Sequence, residues 1–273
     1  MPVVKSQIER CLALIELLAT EGRALPLGEI SERLDLPKSA THRLLHQLVE
    51  TGWIRQDAAT GFYAAALKLA LIGQRLLHRT GLPSLFQPYI DDLAHRTTAF
   101  ARIAVVDGEE LTWIGQAQGA KSGLIYQPGP AAEVRLNVTA SGKAWLACLE
   151  EEQALHLILK QGIGTPAEFG PRAMTQIDDI RAELARTRDR GYALAVEEGE
   201  AGVVVVAAAI RAQEAADIVV GTVSVAGPMA RMTPDRYDGL AEAVIDTAAQ
   251  LSAVWPSESA FAGGWALSDR AQA

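Results

Sequence analysis

The segment from Leu25 to Tyr63 constrains the fold more than any other part of the chain; it reads LPLGEISERLDLPKSATHRLLHQLVETGWIRQDAATGFY. Apolar residues at helical spacing predict a short helix over 27–34 and another over 38–51, with Pro37 in the turn between them. Two apolar segments then flank a loop of Asp, Ala, Thr and Gly, which is typical of a β-hairpin. Two helices at a tight turn followed by a hairpin predict a winged helix-turn-helix, a module that places its second helix in the DNA major groove.

The second predicted helix has one apolar and one polar face. A helical wheel directs these apolar side chains into the core: Ala40, Leu44, Leu45, Leu48 and Val49. Ser39, His42, Arg43 and His46 project from the other side, whose N-terminal half would meet base edges. We therefore expect DNA contacts from seven residues of the helix and the hairpin: Lys38, Ser39, Thr41, His42, Arg43, Arg55 and Thr60. Thr41 is the least favoured of them, because the wheel turns it toward the core.

The charge of this segment suits binding at a defined DNA site. The whole chain carries a net charge of −8, which argues against bulk electrostatic binding to nucleic acid. Residues 36–55, however, contain three basic side chains against Glu50 alone. Arg43 has the best chemistry for reading guanine, since its planar fork matches two acceptors, although a phosphate contact is the alternative. His42 and His46 lie one helical turn apart and could bind a metal, but their position favours DNA.

The rest of the chain predicts a linker and a second domain. The apolar segment 64–78 is predicted to be a helix that either contacts a second copy or belongs to a core. Beyond it we predict a hairpin over 100–116, then helices, and two strands over 203–210 and 217–225 that are apolar enough to be buried on both faces. The predicted fold class is therefore mixed α+β. Its divisions are a DNA-binding domain over 1–66, a linker helix over 67–81, an α/β domain over 82–255 and a loose tail over 256–273.

Composition excludes several other classes. The chain has 273 residues and only two cysteines, Cys11 and Cys148, which lie far apart and predict free thiols in a reducing cytoplasm. No apolar run approaches the roughly 20 residues needed to cross a bilayer. The spacing of His and Cys matches no zinc site, and the glycines match no nucleotide-binding loop, so we predict no metal and no cofactor.

Four segments of the chain, taken in order, resemble the IclR family of bacterial regulators. They are LPLGEISERLDLPKSATHRLLHQLVETGWI, VRLNVTASGKAWLACL, RGYALAVEEGEAGVVVVAAAI and VGTVSVAGPMARMT. The resemblance implies a homodimer or a dimer of dimers, double-stranded operator DNA as partner, and a C-terminal sensor domain of GAF-like fold that binds a small organic acid. It also favours a repressor, which we expect to control a catabolic operon.

The resemblance also implies where the organic acid binds. The family pocket corresponds here to the helix start Thr139-Ala140-Ser141-Gly142 and to a facing wall that contains Ala195, Val203, Val205, Ser224 and Ala226. Some members have an acidic residue at 195, a cysteine at 205 and a serine at 226. Losing those polar groups favours an apolar or aromatic carboxylate over a very small keto acid. Arg135 and Arg102 are further candidates for binding the carboxylate.

The alternative function is a metabolic enzyme or a ligand-binding protein whose helical domain binds a partner. Against an enzyme, the sequence shows no set of nucleophile, base and orienting residue. Glu197 and Glu198 could be read as catalytic carboxylates, but neighbours in an extended segment face opposite ways. We therefore interpret this pair as part of a solvated turn.

Overall fold

The structure is a computed structural model that describes residues 6–128, 134–165, 167–213 and 215–256. The predicted tail falls outside these residues from position 257 onward. The chain divides into two compact units between Arg79 and Thr80. None of the helices in the described part of the chain has both the length and the apolar character that a bilayer crossing requires.

The first unit contains helices and a small hairpin. Its elements are α1 (Gln7–Glu21), α2 (Leu27–Arg33), α3 (Lys38–Glu50), β1 (Ile54–Gln56), β2 (Tyr63–Ala65) and α4 (Lys68–Thr80), whose last residue lies at the division. Ser6 and Glu9 form a reciprocal capping box at the start of α1, in which the Ser6 amide donates to the Glu9 carboxylate at 2.7 Å. Leucines of α1 and α3 form the core with residues of α2 and the hairpin.

The hairpin pairs its strands antiparallel, with Ile54 opposite Ala65 and Gln56 opposite Tyr63. The helix expected from residue 64 therefore begins later, at Lys68, because Ala64 and Ala65 belong to the sheet. In the loop, one oxygen of Asp57 accepts hydrogen bonds from two backbone amides, and Gly61 adopts a left-handed conformation at φ 70°. This chemistry shapes the predicted wing.

The second unit is a five-stranded sheet with helices on both faces. Its elements are α5 (Leu82–Thr97), β3 (Phe100–Asp107), β4 (Glu110–Gln118), α6 (Ala140–Leu146), α7 (Glu151–Gln161), α8 (Ile177–Arg190), β5 (Ala193–Val196), β6 (Val203–Arg211), β7 (Val219–Pro228) and α9 (Tyr237–Val254). The strand order is β4-β3-β7-β6-β5, and all neighbouring strands are antiparallel.

The two faces of the sheet bury different side chains. Helices α5 and α9 cover one face through an aliphatic core that includes Ile90 and Val244. Helices α6, α7 and α8 contribute to the core of the other face, together with a small cluster of alanines. Nine of the ten residues of β7 are buried, which confirms the prediction of a strand enclosed on both faces. The edge strand β5 was not predicted, because its four residues are too short to show a pattern.

Candidate functional site

The exposed face of α3 carries most of the predicted DNA contacts. Lys38, Ser39, His42 and Arg43 are exposed, and their side chains belong to the N-terminal half of the helix. Thr41 is completely buried, and its hydroxyl donates to the Pro37 carbonyl at 3.1 Å. The prediction that Thr41 contacts DNA is therefore wrong, since its only polar atom is turned into the helix and away from the surface.

The hairpin adds two further exposed residues. Arg55 is exposed on β1, and Thr60 lies in the loop. The Thr60 hydroxyl donates to Asp57 Oδ1 at 2.8 Å, and the Thr60 amide donates to the same oxygen at 2.7 Å. These bonds hold the pKa of Asp57 below its usual value, so the carboxylate stays ionised and fixes the loop. Lys38, Ser39, His42, Arg43, Arg55 and Thr60 thus remain candidates.

A cavity of about 100 Å³ lies on the face of the sheet that also packs against α6. Its lining comes from four strands, the start of α6 and one loop: Phe100, Arg102, Trp113, Tyr126, Thr139, Ser141, Val205, Ser224 and Ala226. The strand register brings these residues together, since Arg102 lies opposite Ser224 while Ala226 lies between Phe100 and Val205. The cavity therefore has an aromatic and aliphatic wall with a few polar groups.

Arg102 is the charged group of the cavity. Its guanidinium carbon lies 5.0 Å from the ring centres of both Phe100 and Trp113, a cation–π geometry that fixes the side chain. Its Nε is buried and has no hydrogen-bond partner, and the same is true of Ser141 Oγ. Burial lowers the pKa of Arg102 from its ordinary value, and no described carboxylate forms an ion pair with it. Two unsatisfied polar groups of this kind suit an anionic ligand.

Tyr126 lies at the same cavity and links two loops. Its hydroxyl donates to a carboxylate oxygen of Glu200 at 3.1 Å, and its ring meets Phe100 edge-on at 6.1 Å. Burial, reinforced by the charge of Glu200, raises the pKa of Tyr126 to about 12. The phenol is therefore neutral at physiological pH, and its hydroxyl proton is donated to Glu200 in this hydrogen bond.

Five of the nine predicted ligand-binding residues line the cavity: Thr139, Ser141, Val205, Ser224 and Ala226. Ala140 and Ala195 instead pack in the alanine cluster beneath α6. Gly142 lies so close to Leu136 that a Cβ at this position would come within 2.4 Å of the Leu136 backbone. Val203 is paired with Pro228 at the start of β6, outside the cavity lining.

The start of α6 offers a ligand fewer free backbone amides than expected. Thr139 caps α6 by accepting from the Gly142 amide at 3.0 Å, and its hydroxyl donates to the Arg135 carbonyl at 2.6 Å. The Gly142 amide is therefore occupied within the protein. Among the described residues, Arg102 Nε and Ser141 Oγ are the atoms of the lining that are buried without a hydrogen-bond partner.

Of the two further arginine candidates, Arg102 lies in the cavity and Arg135 does not. Arg135 packs over the ring of Phe169 at 5.5 Å and donates to the Gln161 carbonyl at 3.3 Å. Sequence reasoning missed the aromatic wall. A usable signal was present, because aromatics make up only 5% of the chain and Phe100 shares a strand face with Arg102.

A buried ion pair lies behind the cavity on α6. The ammonium group of Lys143, which is 1% exposed, contacts both carboxylate oxygens of Glu198 at 2.7 and 2.8 Å and the Leu194 carbonyl at 2.6 Å. Glu183 lies 3.6 Å from the same nitrogen. Burial raises the pKa of Glu198 despite the lysine. The interpretation of Glu198 as part of a solvated turn is therefore wrong.

Comparisons with known proteins agree with both halves of the structure. The profile described as "IclR helix-turn-helix domain" matches residues 7–58, and that described as "Bacterial transcriptional regulator IclR C-terminal" matches residues 74–253. The HTH-type transcriptional repressor AllR from Salmonella typhi and that from Escherichia coli K12 are each 29% identical over 245 residues, which covers 90% of this chain and 88% of theirs.

Solved structures share the fold. An IclR transcriptional regulator from Alicyclobacillus acidocaldarius superposes with a TM-score of 0.76 at 20% identity, covering 90% of this chain and 97% of that one. An IclR homologue from Microbacterium hydrocarbonoxydans, complexed with 4-hydroxybenzoate, gives a TM-score of 0.71 at 20% identity and covers 91% and 98%. Both halves of the chain, the helix-turn-helix unit and the sheet domain with its cavity, thus match one family. The chain belongs to the IclR family of bacterial transcriptional regulators.

Proposed function

We propose that the chain is a ligand-responsive transcriptional repressor that acts in the cytoplasm on an operator of a catabolic operon. The repressor AllR, to which it is similar along most of its length, supports this mode of action. The N-terminal half of α3 would enter the major groove, with Arg43 reading a base and Lys38 on a phosphate. Ser39 and His42 would contact base edges beside Arg43. Arg55 and Thr60 would bind the backbone through the wing.

We further propose that the effector is a monocarboxylate with an apolar or aromatic body. The observation that supports this most directly is the pair of buried, unpartnered polar atoms, Arg102 Nε and Ser141 Oγ, in one cavity. A carboxylate could accept hydrogen bonds from both, and a charge-assisted bond to a guanidinium is among the stronger hydrogen bonds in proteins. Burial strengthens such a hydrogen bond, since few water molecules compete with the ligand for the guanidinium.

The walls of the cavity argue for the apolar body. Phe100, Trp113, Val205 and Ala226 offer ring faces and aliphatic groups, and Val205 and Ala226 stand where some family members have polar residues. An apolar protein cavity of about 150 Å³ holds a benzene ring. The cavity of about 100 Å³ would thus need only a small adjustment to take a single ring. The Microbacterium homologue was solved with an aromatic carboxylate, which is consistent with this class.

A homodimer, or a dimer of dimers, would present two recognition helices to the operator. Helix α4 has no buried residue, and four of its apolar side chains are exposed: Leu71 at 53%, Ile72 at 41%, Leu76 at 45% and Leu77 at 37%. Exposed apolar patches of this kind mark interaction surfaces. Replacing Leu76 with glutamate should shift the protein toward monomers in analytical ultracentrifugation, whereas glutamate at exposed Gln74 should not.

A thermal-shift screen of the purified protein tests the effector class, because a ligand bound only by the folded state raises the melting temperature. Benzoate-type acids should raise it, and short keto acids such as glyoxylate and pyruvate should do so less. Arg102→Gln should abolish the shift, whereas the matched variant Arg135→Gln should retain it. A shift with keto acids alone, or an undiminished shift in Arg102→Gln, would overturn the assignment.

A further inference from the structure

A second concave surface lies at the C-terminal end of α6, whereas the ligand cavity lies at its N-terminal end. It encloses about 260 Å³ between the end of α6, the end of α8 and strand β6. Its lining residues are Ala144, Ala147, Cys148, Thr187, Arg188, Gly191, Tyr192, Ala209 and Arg211. None of them carries a carboxylate, although the chain as a whole has a net charge of −8.

Two guanidinium groups are fixed at this groove. Arg188 donates from Nε to the Ala147 carbonyl at 2.9 Å and from Nη2 to the Leu149 carbonyl at 3.2 Å. Arg211 donates to the Ala216 carbonyl at 2.7 Å and to the Cys148 sulfur at 3.3 Å. These contacts hold both side chains beside the thiol and leave Arg188 Nη1 and Arg211 Nε as further donors.

No carboxylate of the described residues neutralises either guanidinium of this pair. Many arginines in the described part of the chain form ion pairs with carboxylates, including Arg33, Arg96 and Arg190. Arg188 and Arg211 form none with any described residue and contact only carbonyls and sulfur. The carbonyls at the end of α6 fix the position of Arg188, and its positive charge and that of Arg211 lie together with no described carboxylate as partner.

We propose that this groove, which we call the Arg188–Arg211 groove, binds a small phosphomonoester. Guanidinium groups pair with phosphate through planar, charge-assisted hydrogen bonds, and two of them match a dianion. The methyl groups of Ala144, Ala147 and Ala209 and the ring of Tyr192 would contact a short organic group on the ester. This site is separate from the ligand cavity and would exist whether or not that cavity binds a carboxylate.

The Cys148 thiol provides a local reporter. Burial raises the pKa of this thiol even though the two arginines favour its ionised form, so it is a neutral group of the groove wall. In a Cys11→Ser background Cys148 is the only cysteine of the chain. Its alkylation by iodoacetamide can then be followed by mass spectrometry at constant ionic strength.

Phenyl phosphate is the probe. We expect it to slow alkylation of Cys148 in a saturable way, with direct binding seen by phosphorus NMR, while phenol and sodium chloride give no saturable protection. Arg188→Gln and Arg211→Gln should each raise the half-protecting concentration about tenfold or more, because a hydrogen bond to a charged group contributes about that much. Circular dichroism verifies that each variant is folded, and Arg188→Lys provides a milder change that should weaken protection less.

Two control variants separate this site from others. Arg181→Gln changes an exposed arginine of the same helix, ion-paired with Glu151 at 2.9 Å, and should leave protection unchanged. Arg102→Gln should also leave it unchanged. Undiminished protection in Arg211→Gln, or its loss in Arg181→Gln or Arg102→Gln, would overturn the assignment. Protection that never saturates would also overturn it and would indicate an adventitious ion only.

Discussion

Replacing Lys143 by methionine should destabilise the second unit strongly. The lysine ammonium is the only cation within hydrogen-bond distance of Glu198 among the described residues, and both side chains are almost fully buried. Methionine would leave the Glu198 carboxylate and the Leu194 carbonyl without this donor. Breaking a buried ion pair by removing one partner costs about 3–5 kcal/mol. In a domain of this size that corresponds to a fall of about 6–20 °C in melting temperature.

The assay is urea unfolding followed by the fluorescence of the tryptophans, which include Trp145, two residues from Lys143 in α6. A matched control is Lys160→Met, which removes an exposed ion pair with Glu109. Fully exposed pairs are screened by solvent and contribute little to stability, so this variant should unfold close to wild type. The double variant Lys143→Met/Glu198→Leu should recover most of the loss, because no unpaired charge then remains buried.

The predicted loss of stability depends on the burial of the Lys143–Glu198 pair and not on the number of its contacts. If Lys143→Met lost no more stability than Lys160→Met, the pair would not be desolvated in the folded protein. If the double variant were as unstable as the single one, the loss would come from packing around α6 and not from an unpaired carboxylate.

Three further predictions concern DNA, the cavity and the helix beside it. Arg43→Ala should weaken operator binding about 10- to 100-fold and relax preference at one base pair, measured by competition with substituted operators; uniform weakening would assign Arg43 to a phosphate. In ¹³C NMR titrations Tyr126 should titrate near pH 12, and Glu200→Gln should lower that pKa. Because the folded protein holds this phenol proton more tightly than the unfolded chain does, the contribution of Tyr126 to stability should decline as the pH rises from 10 to about 12. Gly142→Ala should cost about 1–3 kcal/mol in urea unfolding, since its Cβ would meet the Leu136 backbone, and an unchanged midpoint would refute this close packing.

Local patterns allowed much of the fold to be predicted. The capping box of Ser6 and Glu9 depends on residues three apart, and the structure confirms it. The buried face of α3 follows from helical periodicity, which also turned Thr41 inward. The buried strands β6 and β7 follow from their nearly continuous apolar sequence. Each of these features is decided by neighbours along the chain.

Features that depend on distant partners could not be predicted in the same way. Tyr126 reaches the cavity from a loop, where its hydroxyl donates to Glu200, 74 positions away. Glu198 is buried because Lys143, 55 positions away, offers it a partner. Ala195, which the resemblance placed at the ligand, instead packs with Ala140 of α6 in the alanine cluster, where small residues allow that helix to approach the sheet.

We expect that a carboxylate held by Arg102 controls DNA binding. Fluorescence anisotropy of a labelled operator fragment, obtained by selection from genomic DNA, tests this. The fragment is titrated with wild type or Arg102→Gln protein in the presence of the aromatic acid that gives the largest thermal shift. The acid should lower the affinity of wild type for the operator and leave that of Arg102→Gln unchanged. An equal response of both proteins, or no response of wild type at saturating acid, would contradict the claim.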